Sequence, residues 1–271
     1  METLNTKSCN NSVSYFLNNS ENPKVTVVFV HGFPFDKSIW KKQLDALPDT
    51  VQGIAYDIRG FGESTTDHLF LSIDLFAKDL LQLITDLKIS NCILCGISMG
   101  GYITLRAFEL SPETFKGIVL CDTNCVADSN ESKVKRFNSI KQIQTGGKVD
   151  FTEGFIKNVF SEKTLSDAVD TVEFLRNVIL TTQNDTICAT QLALASRTDT
   201  SKALSEIKVP ALVIRGELDK LMSEEQTLQL HNGIQESDFV VIPGSGHLPN
   251  LENPDQFNLA LKGFLHKHFL A

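Results

Sequence analysis

"GISMGGY", residues 96–102, follows the apolar run "CILC" (92–95) and leads into "ITLRAFEL" (103–110). Its reading decides the fold. A serine stands two residues from a glycine on each side. Glycine stabilises neither a strand nor a helix, so its use here points to a backbone demand. Gly96-Ile97-Ser98-Met99-Gly100 matches G-x-S-x-G, and it sits where a strand pattern turns into a helix pattern, the context that motif requires. There the serine occupies a strained tight turn that lifts its hydroxyl clear of the backbone. The glycines leave room where strand and helix approach closely, and the helix N-terminus favours developing negative charge. We expect Gly101, outside the motif proper, to ease approach of the "HGFPFD" loop or of substrate.

The rhythm around the motif repeats along the chain. Short apolar runs rich in β-branched residues recur as "VTVVFV" (25–30), "QGIAYDI" (52–58), "NCILCGI" (91–97), "GIVLCD" (117–122), "PALVIRG" (210–216) and "DFVVIPG" (238–244). Several are apolar at consecutive positions, as expected of strands covered on both faces. "SVSYFLN" (12–18) is less apolar and reads as an edge strand. Helical patterns lie between the runs. Trp40, Leu44 and Leu47 form one stripe, and Ile73, Phe76, Leu80, Leu83 and Leu87 another. Ser223 with Gln226 makes a capping box, and Asn253 with Pro254 opens the last helix. Such alternation predicts a doubly wound, mostly parallel α/β sheet. Residues 124–208 break the rhythm. They lack a strong strand and read as polar helices with scattered Phe and Ile, a helical insertion between two sheet strands. The expected division is 1–123 with 209–271 as the core and 124–208 as a cap.

Bulk composition excludes several function classes. The chain has 271 residues, 42% hydrophobic and 21% charged, with a formal net charge of -8. That acidic balance argues against nucleic acid or an anionic membrane as partner. The N-terminus lacks an apolar signal region, and no apolar run approaches the roughly 20 residues of a membrane span, so a cytoplasmic location is expected. Cys92 and Cys95 match C-x-x-C, but on a strand residues i and i+3 face opposite ways and cannot share a metal or a disulfide. Cys121 and Cys125 lie close enough in sequence to meet across a turn, with reduced thiols the default.

Chemistry-bearing residues collect at strand ends. "HGFPFD" (31–36) follows the first parallel strand, and its Phe33 N–H, with that of Met99, can aim at an oxyanion. His31 beside it reads as a loop-ordering residue. Asp219 ends "PALVIRGELDK" (210–220), and His247 stands in "GSGHLPNLENP" (244–254). A serine nucleophile needs a base, and the base needs an acid that fixes its tautomer. The order Ser98, Asp219, His247 supplies all three at the C-terminal ends of expected parallel strands, where open α/β sheets place their sites. Asp122, ending "GIVLCD", competes with Asp219 for the acid role.

With "YDIRGFGES" (56–64), these motifs resemble the α/β-hydrolase fold superfamily over nearly the whole chain, and small serine carboxylesterases in particular. The nearest types are 3-oxoadipate enol-lactonases, pimeloyl-acyl-carrier-protein methyl esterases and carbon–carbon bond hydrolases. The resemblance implies a helical cap inserted after the sixth strand, Ser98 as nucleophile, His247 as general base and acid, Asp219 as orienting acid, and structural roles for Asp57 and Arg59. It implies no metal or organic cofactor. Ser98 argues against haloalkane dehalogenases and epoxide hydrolases of this fold, which use an aspartate nucleophile. Epoxide hydrolases also need cap tyrosines, and Tyr15, Tyr56 and Tyr102 all lie outside 124–208.

The expected reaction is hydrolysis of a small carboxylic ester, lactone or thioester through an acyl-enzyme. Carbon–carbon bond hydrolysis, cofactor-free perhydrolysis and a receptor with little turnover are the alternatives. Trp40, Phe137, Phe155, Phe160 and Leu248 are the expected pocket residues. Lys133, Lys135, Arg136, Lys141 and Lys148 read as a solvated helix face, with an acidic carrier protein or a carboxylated substrate as the alternative partner. A monomer and a homodimer fit equally well.

Overall fold

A computed structural model describes residues 2–18 and 20–270. Among the described residues, eight strands form one sheet: β1 (Glu2–Ser8), β2 (Asn11–Asn18), β3 (Val25–Val30), β4 (Val51–Tyr56), β5 (Cys92–Ile97), β6 (Phe115–Cys121), β7 (Ala211–Gly216) and β8 (Ser237–Ile242). Their order is β1-β2-β4-β3-β5-β6-β7-β8. From β4 to β8 every pairing is parallel, while β2 meets both β1 and β4 antiparallel. β3, β5 and β7 are buried at every position. Their unbroken apolar runs are therefore the signature of strands covered on both faces.

"SVSYFLN" is not the edge of the sheet. β1 pairs along its whole length, joined by a two-residue turn in which Cys9 and Asn10 both have positive φ. That geometry matches the twist of a hairpin. "ETLNTKS" is polar and mostly solvent-facing, so its sequence carries no strand signal of its own.

The helices are α1 (Lys41–Ala46), α2 (Ile73–Asp86), α3 (Met99–Leu110), α4 (Asn130–Gln144), α5 (Lys148–Val159), α6 (Glu162–Asp167), α7 (Val169–Thr181), α8 (Asn184–Ala195), α9 (Glu224–Gly233), α10 (Pro249–Glu252) and α11 (Pro254–Leu265). The α2 stripe Ile73, Phe76, Leu80 and Leu83 is buried, and Ser72 caps the helix by accepting from the Leu75 N–H. Ser223 and Gln226 close the reciprocal capping box of α9. α2 packs on α3, and α1 on α11. Five consecutive helices, α4 to α8, lie between β6 and β7, pairing as α4 with α8 and α5 with α7. They form a helical cap after the sixth strand. Among the described residues, no helix is long and apolar enough to cross a membrane.

Candidate active site

Ser98 joins β5 directly to α3, with φ 54° and ψ -117°. A non-glycine residue at positive φ is costly, of order 1–3 kcal/mol, and persists only where its surroundings enforce it. The surroundings here are the two motif glycines. A Cβ on Gly96 would strike the backbone of Gly100, and one on Gly100 would strike the Val30 carbonyl at the end of β3. Strand, helix and neighbouring strand thus meet with no space for a side chain. Gly101 has a different role from the one expected. Its missing Cβ makes room for Thr123, whose hydroxyl donates to the Ser98 carbonyl at 2.8 Å. It is Gly100 that lies under the "HGFPFD" loop.

That loop is held from below. His31 is fully buried; its Nδ1–H donates to the Gly32 carbonyl at 2.8 Å, and its Nε2 accepts the Ile58 N–H at 3.0 Å. Burial lowers its pKa, so it stays neutral in the tautomer those bonds require. His31 therefore orders the loop. Asp57, also buried, accepts from the Lys37 N–H at 2.8 Å, the Lys37 ammonium at 2.7 Å and the Glu63 N–H at 2.9 Å. Arg59 holds Asp79 in a bidentate pair. "YDIRGFGES" is thus a clamp on the segment carrying Phe33.

His247 and Asp219 meet at the ends of β8 and β7. His247 Nδ1–H donates to Asp219 Oδ2 at 2.9 Å, and both side chains are almost fully buried. Asp219 Oδ1 accepts from the Leu221 and Met222 amides at 2.8 and 3.2 Å. Burial alone would raise the Asp219 pKa. The charge and hydrogen bond of His247, with the Leu221 amide, outweigh it and hold the carboxyl below its usual range.

Asp122 follows β6 at φ 41° and is completely buried. Its Oδ1 accepts the Gly216 N–H at 2.7 Å, while Oδ2 has no partner among the described residues. Burial first, then the Asp219 charge, pushes its pKa well above the carboxylate range and so favours its neutral form. The two neighbouring aspartates are thus pushed in opposite directions, and the one held low is bonded to the histidine. Donor atoms of Asp122, Asp219 and His247 lie within 4.8 Å of one another, a spacing a metal ion could use. His247 Nδ1 and Asp219 Oδ2 are already bonded to each other.

The histidine loop is tied to the cap. The His247 N–H donates to the Val159 carbonyl at the end of α5. Glu252 accepts from the Gly246, Ser161 and Thr164 donors, each at 2.8 Å. Sequence reasoning missed Glu252, whose position six residues after Gly246 in "GHLPNLENP" was the available signal.

A cavity of about 190 Å³ opens beside the serine, lined by Phe33, Ser98, Met99, Tyr102, Arg136, Phe155, Leu194, Leu221 and Met222. Ser98 is partly exposed to it. Among the described residues, the Ser98 hydroxyl has no hydrogen-bond partner and no protein acceptor takes the Phe33 or Met99 amide. Catalytic hydrogen bonds are often long before substrate binds.

Four expected pocket residues lie elsewhere. Trp40 is core, its ring 5.0 Å from Phe29 and 6.0 Å from Phe257. Phe160 and Leu248 are fully buried away from the cavity, and Phe137 is 51% exposed on the outer side of α4. Phe155 does line the cavity, against Phe33 and Phe35. All six cysteines are free.

A sequence model described as "Alpha/beta hydrolase family" matches residues 27–260. A thermophilic esterase from Thermogutta terrifontis superposes with a TM-score of 0.91 at 29% identity, covering 99% of this chain and 100% of the esterase. A Synechocystis protein provisionally named a non-heme chloroperoxidase is 30% identical, covering 88% of this chain and 90% of its own. The 3-oxoadipate enol-lactonase 2 of Acinetobacter baylyi is 27% identical, covering 88% of each chain.

Proposed function

The chain belongs to the alpha/beta hydrolase family, and we propose that it is a serine hydrolase that cleaves small carboxylic esters or lactones through an acyl-enzyme. One observation carries this reading: the buried His247–Asp219 hydrogen bond of 2.9 Å after β8 and β7, strands of the same parallel sheet whose β5 ends in a serine at positive φ. The similarity to an esterase and to an enol-lactonase supports the same reaction class.

In this mechanism His247 Nε2 takes the Ser98 proton as Oγ attacks the carbonyl carbon. Asp219 fixes the tautomer and steadies the imidazolium. The tetrahedral oxyanion accepts from the Phe33 and Met99 amides, each such donor typically contributing about 3 kcal/mol. His247 then protonates the leaving alcohol, activates water by the reverse transfer, and returns the serine. The upward push on the Asp122 pKa suits this assignment, since burial there disfavours the charge that would steady an imidazolium. The low Asp219 pKa keeps that carboxylate charged across the neutral range.

The Synechocystis relative's provisional name favours a second reaction on the same acyl-enzyme. Hydrogen peroxide replaces water as the nucleophile, giving a peracid and free Ser98.

A fluorophosphonate probe tests the main reading. It should label wild-type protein and not Ser98→Ala, and the labelled protein should lose ester hydrolysis. Folded wild-type protein that neither takes the probe nor cleaves p-nitrophenyl acetate would refute it.

A further inference from the structure

Among the described residues, Arg136 is the one charged residue lining the cavity beside Ser98. It lies on the inward stripe of α4 with Ile140 and Ile143, spaced four and three residues apart. Asp128 is almost fully buried and accepts from two guanidinium groups, those of Arg136 and Arg197. Arg136 also donates to Gln191 Oε1 at 3.1 Å. Arg197 is occupied by Asp128, the Val126 carbonyl and the Leu194 carbonyl, and its guanidinium lies 4.2 Å from the Tyr102 ring centroid.

The charge arithmetic is simple. Two arginines and one aspartate leave a net charge of +1 at one wall of a cavity whose other lining side chains are uncharged. The five guanidinium N–H groups of Arg136 are not all used either. Nε and one Nη2 hydrogen go to Asp128, and one Nη1 hydrogen goes to Gln191. One N–H on each Nη is left without a protein acceptor among the described residues. A planar pair of donors beside low-dielectric walls suits a carboxylate, which takes two parallel N–H···O bonds. The cavity, at about 190 Å³, falls short of the roughly 300–1,000 Å³ of drug-sized sites, so the molecule it holds is short.

We propose that Arg136 makes this cavity a site for short esters or lactones that carry a carboxylate at the end remote from the scissile bond. This rests on the serine-hydrolase reading above. Ser98 acts at one end of the substrate while Arg136 holds the other, so the carboxylate sets orientation. Asp128 and Gln191 fix the guanidinium, and the apolar walls reject a bare charge elsewhere. Of the five basic residues near the start of the cap, only Arg136 reaches the cavity. Lys148, for example, is spent on the Leu180 and Thr182 carbonyls.

The test compares monomethyl succinate with methyl succinamate, which differ only by carboxylate against carboxamide. Wild-type kcat/KM should favour the succinate by about 10- to 100-fold, the range of a charge-assisted hydrogen bond. Arg136→Gln should collapse the ratio toward one, with Arg136→Lys between. Equal or better turnover of the succinamate by wild type overturns the proposal, and needs no variant to fold. So does an unchanged ratio in folded Arg136→Gln. Calorimetry of succinate binding to Ser98→Ala separates this from the reaction itself. Binding that weakens with Arg136→Gln upholds the subsite even if no ester is cleaved, and failure to bind overturns it.

Discussion

The cavity has two walls, and they were written into the sequence in different ways. One wall belongs to the sheet: Ser98 and Phe33 sit on turns at strand ends, and Met99 opens α3. The other belongs to the cap: Arg136, Phe155 and Leu194 project from helices α4, α5 and α8. On the sheet wall the backbone fixes function, because a residue's job follows from which strand it ends. On the cap wall function depends on helix phase. Arg136 and Phe137 are neighbours in sequence and roughly 100° apart around the axis. One enters the cavity, while the other is 51% exposed.

The contrast predicts that sheet-wall changes abolish chemistry while cap changes retune it. Ser98→Ala should lower kcat by a factor on the order of 10⁶, with circular dichroism unchanged. Residual turnover above a hundredth of wild type would mean the chemistry lies elsewhere.

Asp219→Asn and Asp122→Asn sharpen the same wall. Asp219→Asn removes the charge that orients His247, and roughly 10⁴-fold loss of kcat is expected. Asp122→Asn alters a carboxyl that bonds the Gly216 amide and not His247, and whose burial favours the neutral form. It should change kcat by less than about tenfold, since it leaves the His247–Asp219 bond in place. The reverse ranking, measured side by side, would transfer the acid role to Asp122.

These residues were legible because each carries a local signature. "GISMGGY" shows its turn through paired glycines, and the strand ends show through apolar runs that stop abruptly. Asp122 and Asp219 both end strands, so sequence named them without ranking them. Only tertiary burial and the bond to His247 separate their charges. β1 was invisible because its stability comes from pairing with β2 and from a two-residue turn. The cap phenylalanines misled because composition gives no phase. Ile140 stands four residues from Arg136 and three from Phe137, spacings that both suit one helix face, and charge made the arginine look solvent-facing. Trp40 was read as a pocket residue although its own stripe with Leu44 already pointed to the core.

Gly100→Val tests whether sheet-wall geometry is as unforgiving as the contrast requires. The new side chain must enter backbone at Val30. Overpacking of this kind costs about 1–3 kcal/mol or more, and chemical denaturation should show it. A fully stable variant would mean the close approach is not what selects glycine.

On the cap wall, acid should loosen what Arg136 and Arg197 hold. Burial raises the Asp128 pKa, but the two arginines outweigh it and keep it below its usual range. A depressed folded-state pKa adds stability above the unfolded value of about 4, and that stability fades as pH falls through the folded value. Urea midpoints between pH 6 and 2.5 should drop more steeply for wild type than for Asp128→Asn. Parallel curves would remove Asp128 from the account.

The smallest effect is the most pointed test of helix phase. Phe137→Ser deletes a large aromatic from a cap that is otherwise rich in them. Were Phe137 a pocket or core residue, its loss would cost about 3–5 kcal/mol or alter KM. Half exposed on the outer side of α4, it should change stability by no more than about 0.5 kcal/mol and leave KM as it was. Moving the same substitution one residue back, to Arg136→Ser, should change the preference between charged and neutral esters. If both substitutions were silent, α4 would not form a wall of the site at all. If Phe137→Ser alone acted, the helix would be turned by one residue, and the cap wall would have to be redrawn around Phe137.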